Sequence, residues 1–168
     1  GLVVVHGRGV DDGDGDPAAE AWAAQTLREA AIEGLAEAQY ALAVLYQRGR
    51  GVSQDPVRAL LWYHSAAEQG HAPAQYNLGV FHLEARGVPR NFAEARRWFT
   101  RAADQGLWQA EFNLAVLHER GVFGAPDLVA AEAHYRQAAA LGGAEAGPPV
   151  LAVSVVGLLS AAAIGALN

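Results

Sequence analysis

The sequence predicts an all-α chain: an α-solenoid of helix-turn-helix units on a 36-residue period, about three and a half units long, followed by a single apolar helix. Three observations carry this. Apolar residues recur at helical spacing, whole rows of the chain repeat one another without a gap, and an uncharged run follows the last row.

The rows are Gly34 to Gln69, Gly70 to Gln105 and Gly106 to Leu141. Identical columns are Gly34/Gly70/Gly106, Ala38/Ala74/Ala110, Leu42/Leu78/Leu114, Val44/Val80/Val116, Ala59/Ala95/Ala131, Ala66/Ala102/Ala138 and Ala67/Ala103/Ala139. Conservative columns, such as Tyr40/Tyr76/Phe112 and Tyr63/Phe99/Tyr135, reinforce them. In the first row Ala38, Leu42, Leu45 and Tyr46 share one helical face, and Ala59, Trp62, Tyr63, Ala66 and Ala67 share another. Each row is therefore two helices. Between them the QRGRGVSQ stretch offers Gly49 and Gly51 for the positive φ that ends a helix. Asp55-Pro56 then supplies an N-cap and a proline at the first helical position, with Asn91 and Asp127 in the same cap column. The alanine columns let helices approach where they cross, and stacking the rows covers apolar stripes that one row leaves bare.

These residues resemble the Sel1-like repeat, a relative of the tetratricopeptide repeat. The marks of the resemblance are Gly51-Val52 in the turn, Trp62-Tyr63, and Ala66-Ala67-Glu68-Gln69-Gly70, and it covers residues 34 to 141. The third row departs from it: Phe123 and Gly124 replace the Gly-Val of the turn and His134 replaces the tryptophan, so a loop of different shape is expected there. The resemblance extends backwards as a partial leading repeat over 1–33. GLVVVHGRGV reads as the end of a first helix and its turn, DDGDGD as an inserted acidic loop, and Pro17 to Glu33 as a second helix capped by Asp16. With Gly1 in place of Met and no charged-then-apolar leader, the native start is expected to lie upstream.

The segment 34–147 holds three repeats and the start of a fourth, in which Ala146 is in register before Pro148-Pro149 stops the helix. The final segment, 148–168, contains VLAVSVVGLLSAAAIGAL from Val150 to Leu167, which is without charge. As a helix at about 1.5 Å per residue it would reach roughly 27 Å, near the roughly 30 Å of a hydrocarbon core. The expectation is a single-pass membrane span at the C-terminal side, in a bacterial inner membrane or an organelle membrane. The alternative is an apolar helix capping the solenoid, although a cap should show a polar outer face. Gly157, Ala161 and Gly165 form a small-residue line suited to packing on another membrane helix.

Apolar residues at 52% against 18% charged exclude a disordered chain, and a net charge of −6 with no basic block argues against nucleic acid as a partner. The absence of cysteine removes disulfide frameworks, thiolate metal sites and cysteine nucleophiles. Asp12, Asp14 and Asp16 alternate as in a calcium loop, but Pro17 stands where that loop needs glycine, so a solvated loop is the reading preferred. His82 and His118 share a column without a third ligand, which makes repeat packing a better explanation than a metal. With no catalytic constellation and no phosphate loop, the chain is read as a non-enzyme that needs neither cofactor nor metal.

What remains is binding. In repeats of the resembled type the first helices line the concave surface, which implies that Gln39, Gln75, Glu111, Asn77, Asn113, His82 and His118 touch a partner protein; for the two asparagines a structural role competes. The function expected is a protein-protein interaction scaffold or adaptor held at a membrane by residues 150–167, through which membrane subunits would also be met. The alternatives are an accessory subunit of a large respiratory or photosynthetic membrane complex, and a soluble regulatory scaffold with a capping helix.

Overall fold

A computed structural model describes residues 16–143 of the chain. Seven α-helices follow one another within that span: α1 Pro17–Ile32, α2 Ala36–Arg48, α3 Pro56–Glu68, α4 Ala72–Glu84, α5 Phe92–Asp104, α6 Trp108–Glu119 and α7 Leu128–Ala138. A π-helical turn, Ala139–Gly143, ends it. The helices pack chiefly on their neighbours in sequence, which is the contact pattern of a solenoid. The acidic residues Asp12 and Asp14, the apolar run 150–167 and the small residues Gly157, Ala161 and Gly165 lie outside the described residues. Among those described, no helix is long and apolar enough to cross a membrane.

The helix starts follow from the cap column. Asp16, Asp55, Asn91 and Asp127 each accept a backbone N–H of the first turn, from Ala18, Arg58, Glu94 and Ala130 at 2.9–3.0 Å. Each such bond satisfies a donor that the helix itself leaves unpaired. The junctions between units are equally regular. Gly34, Gly70 and Gly106 adopt φ of 95°, 89° and 85°, and their N–H groups return to Ala31, Ala67 and Ala103. The following residue reaches back to Ala30, Ala66 or Ala102, completing a Schellman motif at each junction.

The turn inside each unit closes on one recurrent bond: Asp55 N–H to Tyr46 C=O, Asn91 to His82 and Asp127 to His118, at 2.9–3.0 Å. The local chain differs around it. In the third unit α6 stops at Glu119 with Arg120 still right-handed, and Gly121 and Gly124 carry φ of 67° and 141°. This is the altered loop expected from Phe123 and Gly124, yet it delivers Asp127 to the same acceptor. In the second unit Ala85 holds the left-handed position, φ 56°, that Gly49 holds in the first. Because a Cβ is costly there, Ala85→Gly is expected to raise stability by about 1 kcal/mol, seen as a higher urea midpoint at constant slope.

The alanine columns are buried at the helix crossings as their size requires, Ala59, Ala66, Ala74, Ala95, Ala102 and Ala110 completely so, with Ala139 at the end of the described stack the exposed exception. Two adjoining clusters make the core. One runs from Ala31 through Leu42, Tyr63 and Phe81 to Trp98, and the other from Tyr76 through Phe99 to Leu117. Helix α4 contributes to both, which ties the units into one body.

Candidate protein-binding surface

The structure moves four of the expected partner-facing residues inside. Gln39, Gln75, Glu111 and Asn113 are 6%, 4%, 9% and 0% exposed. The glutamines are built into the junctions: Gln39 Nε2 donates to Ala31 C=O and Gln75 Nε2 to Ala67 C=O, both at 3.1 Å. Gln69 and Gln105 then donate to the Oε1 of Gln39 and Gln75 at 2.8 Å. These amides add a second hydrogen bond to carbonyls that already accept the Gly34 or Gly70 N–H, a role that keeps them from a surface. Asn113 Nδ2 donates to Tyr76 Oη at 3.4 Å, within the stack. Their expected surface position is therefore corrected. Asn77, His82 and His118 remain partly exposed.

The third unit abandons the glutamine device, and it does so coherently. Glu111 stands in the Gln column, Leu141 replaces the partner glutamine, and His134 replaces tryptophan; Glu111 Oε2 and His134 Nδ1 meet at 2.7 Å. His134 in turn stacks on His118 at 5.4 Å, with Phe123 on the other ring at 5.3 Å. His118 therefore pairs within its own unit and not with His82. Among the described residues no cluster of three potential ligands gathers at either histidine.

Burial lowers the pKa of both His82 and His118 below the ordinary 6.5; His134 and Arg96 add to this at His118 and His64 at His82, while Glu94 and Asp127 oppose it. A lowered folded-state pKa means the unfolded chain binds more protons once pH drops below 6.5, so stability falls with pH there. The urea midpoint is expected to be lower at about pH 5.5 than at about pH 7.5, and the double variant His82→Gln, His118→Gln to flatten that dependence.

A concavity lies at the first junction, among α1, α2 and α3. Arg28, Tyr46, Arg58, Leu61, Trp62 and Ser65 line a cleft of about 430 Å³. A more polar recess of about 570 Å³ shares Arg28, Tyr46 and Arg58 with it and runs over the 51–55 turn. Arg28 Nη2 donates to Tyr46 Oη at 3.1 Å, and the Arg58 guanidinium carbon stands 5.6 Å from the centre of the same ring. Burial pushes the Tyr46 phenol up, but the hydrogen bonds and charges of the two arginines outweigh it and hold the group below its ordinary 10.0. Asp55 engages Arg58 Nε at 3.3 Å, whereas Arg28 has no carboxylate within ion-pair distance among the described residues. Leu61 adds an apolar wall that is 61% exposed. Sequence reasoning missed Arg28 and Arg58 because neither belongs to a constant column; only comparison of the varying columns would have singled them out.

With the geometry in place, the relationships of the chain become informative. The Sel1 repeat family matches three consecutive segments, 36–71, 72–107 and 108–143. The chain belongs to the Sel1 repeat family. Its segments are the three rows shifted by two residues, so that each starts at or near a first helix. Sel1 repeat solenoids mediate protein-protein interaction and are typically non-catalytic scaffolds. Several solved structures are similar, two of them as follows. A protective antigen present in uropathogenic Escherichia coli strains, displaying an SLR fold, is 36% identical with a TM-score of 0.68 over 71% of this chain and 26% of its own. A Sel1 repeat protein from Oxalobacter formigenes is 34% identical with a TM-score of 0.69 over 71% of this chain and 49% of its own. The chain thus spans about a quarter of the first and about half of the second. No curated protein matches it.

Proposed function

We propose that this Sel1 repeat chain is a non-catalytic adaptor that holds a partner protein on its solenoid. The observation that carries the reading is the contrast between its junctions and its surface. Caps, Schellman turns and alanine crossings repeat from unit to unit, while solvent-accessible columns change freely, as in exposed Arg58 and half-buried Glu94 and Ala130. A scaffold needs a constant frame and a variable face; function resides in what that face presents. Co-purification with the intact chain and with a form lacking 150–168 tests this. Retention of the same partner by both supports binding through the repeats, and its loss with the deletion contradicts it.

A membrane tether for this scaffold is favoured by one feature, the uncharged run 150–167 after Pro148-Pro149. In that reading Gly157, Ala161 and Gly165 pack on a neighbouring membrane helix, which also accommodates an accessory subunit of a larger assembly. Alkaline carbonate extraction decides it: the full chain stays in the membrane pellet if tethered, and its release to the supernatant sinks the tether while leaving the scaffold standing, as a soluble regulator.

A further inference from the structure

The cleft at the first junction differs from its counterparts in the rest of the stack, and the repeat itself supplies the comparison. The columns that place Arg28, Tyr46 and Arg58 hold His64, His82 and Glu94 one unit later, and Thr100, His118 and Ala130 in the next. The first junction thus presents two cations, the second sets an acid against histidines, and the third has no permanent charge in these columns. The frame is common to all three, so the pair of arginines is a local addition and not a requirement of folding.

We infer that the Arg28–Arg58 cleft binds an acidic peptide segment of the partner, seating a carboxylate side chain between the two guanidinium groups and an adjacent aliphatic or aromatic side chain on Leu61 and Trp62. This rests on the scaffold reading and deepens it. The chemistry follows from the lining. Guanidinium groups recognise carboxylates through directed, charge-assisted hydrogen bonds, and Tyr46 Oη, already receiving one such bond from Arg28, fixes that side chain on the cleft wall. Apolar contact beside the charge is provided by exposed Leu61 and half-buried Trp62. Ser65 Oγ donates to Leu61 C=O at 3.1 Å and so does not compete for the ligand as a donor. Asp55 competes for Arg58 from one edge only, through Nε. A cleft of about 430 Å³ accommodates two or three side chains, the scale of a short linear segment and not of a folded domain. Among the described residues, the other two arginines beside a tryptophan are already engaged: Arg97 and Arg101 lie against the ring of Trp98, and Arg101 also pairs with Glu68 and Arg97 with Glu94.

The test is an NMR titration of the full chain with a blocked peptide, acetyl-Gly-Glu-Glu-Leu-Phe-Gly-amide, against the same peptide with both Glu replaced by Gln. Blocking the ends confines the negative charge to side chains. Saturable shifts are expected at the Trp62 indole and the Arg28 and Arg58 signals, with affinity about tenfold weaker for the Gln peptide. Arg58→Glu and Arg28→His, residues that the same columns already hold one unit later, are each expected to weaken the acidic peptide about tenfold while α5–α7 signals stay in place. Equal binding of the two peptides, indifference to both variants, or no shift at these residues overturns the inference. Saturable shifts elsewhere on the stack would also overturn it, yet leave the scaffold reading intact. Tighter binding of inorganic phosphate than of the peptide would make the cleft a phosphate site and likewise overturn it.

Discussion

Gly51→Ala is expected to lower stability by about 3 kcal/mol, the sum of a left-handed backbone penalty and an unrelieved clash. Gly51 has φ 66°, and a Cβ there would fall 2.3 Å from the carbonyl oxygen of Glu20 and 3.0 Å from the N of Ala21. Both are backbone atoms of α1, which leaves no flexible side chain to move aside. Beside this contact Arg50 pairs with Glu20 at 2.6 Å, so the turn of the first unit is fastened to α1 by a close approach and a charge pair together. The consequence reaches beyond stability. Arg28 is carried by α1 and Gly51 by the turn that floors the polar recess, so the cleft should lose its shape along with the contact. Gly34→Ala is the control, since Gly34 has φ 95° but nothing within 4 Å of the place an added methyl would take. Its cost is expected to be about 1 kcal/mol, the backbone penalty alone. Urea midpoints followed by far-UV circular dichroism separate the two, and equal losses would refute the close approach.

Trp98→Ala is expected to cost about 3–5 kcal/mol, the range for truncating a large buried aromatic. Trp98 is 1% exposed and is the most distant member, in sequence, of the cluster that begins at Ala31. It lies on α5 but packs with residues of the units before it, including the edge of His64 on α3 at 5.6 Å. Arg97 and Arg101 cover the ring with guanidinium carbons 5.4 Å and 4.8 Å from its centre. Removing the ring strips two cations of their aromatic partner and opens a cavity at a junction, where a solenoid has little redundant contact. Beyond the lower midpoint, the single unfolding transition is expected to broaden as α1–α4 and α5–α7 uncouple. An unchanged slope with a loss under about 1 kcal/mol would contradict this placement.

Much of this architecture was legible in the sequence because a repeat shows each structural demand several times. The cap column of Asp55, Asn91 and Asp127, the glycine at each junction and the crossing alanines were all readable, and each has a local cause. The glutamines were not. Gln39 and Gln75 look like surface residues by type, and what buries them is a carbonyl eight residues back and a second glutamine thirty residues on. The signal lay in paired columns: where Gln becomes Glu111, its partner becomes Leu141. A second pair behaves alike. Tyr63 donates to Gln47 at 2.6 Å and Tyr135 to Glu119 at 2.7 Å, whereas the middle unit puts Phe99 and Leu83 in those places. Concerted exchange of donor and acceptor for two apolar groups keeps a buried site satisfied, and it marks contact between columns. The cleft escaped notice for the opposite reason. Arg58 is the one arginine of its column and Arg28 shares its own only with Arg136, and periodicity highlights what recurs throughout.

The central claim is that the repeats themselves hold the partner. A photo-crosslinking residue placed singly at Leu61, Leu128 or Ala161 of the intact chain in its own cells measures this most directly. Leu61 and Leu128 are exposed on α3 and α7, and Ala161 lies in the uncharged run. The expected result is one partner polypeptide trapped from a repeat position, Leu61 foremost, with the yield reduced by Arg58→Glu. Adducts formed from Ala161 alone would contradict the claim.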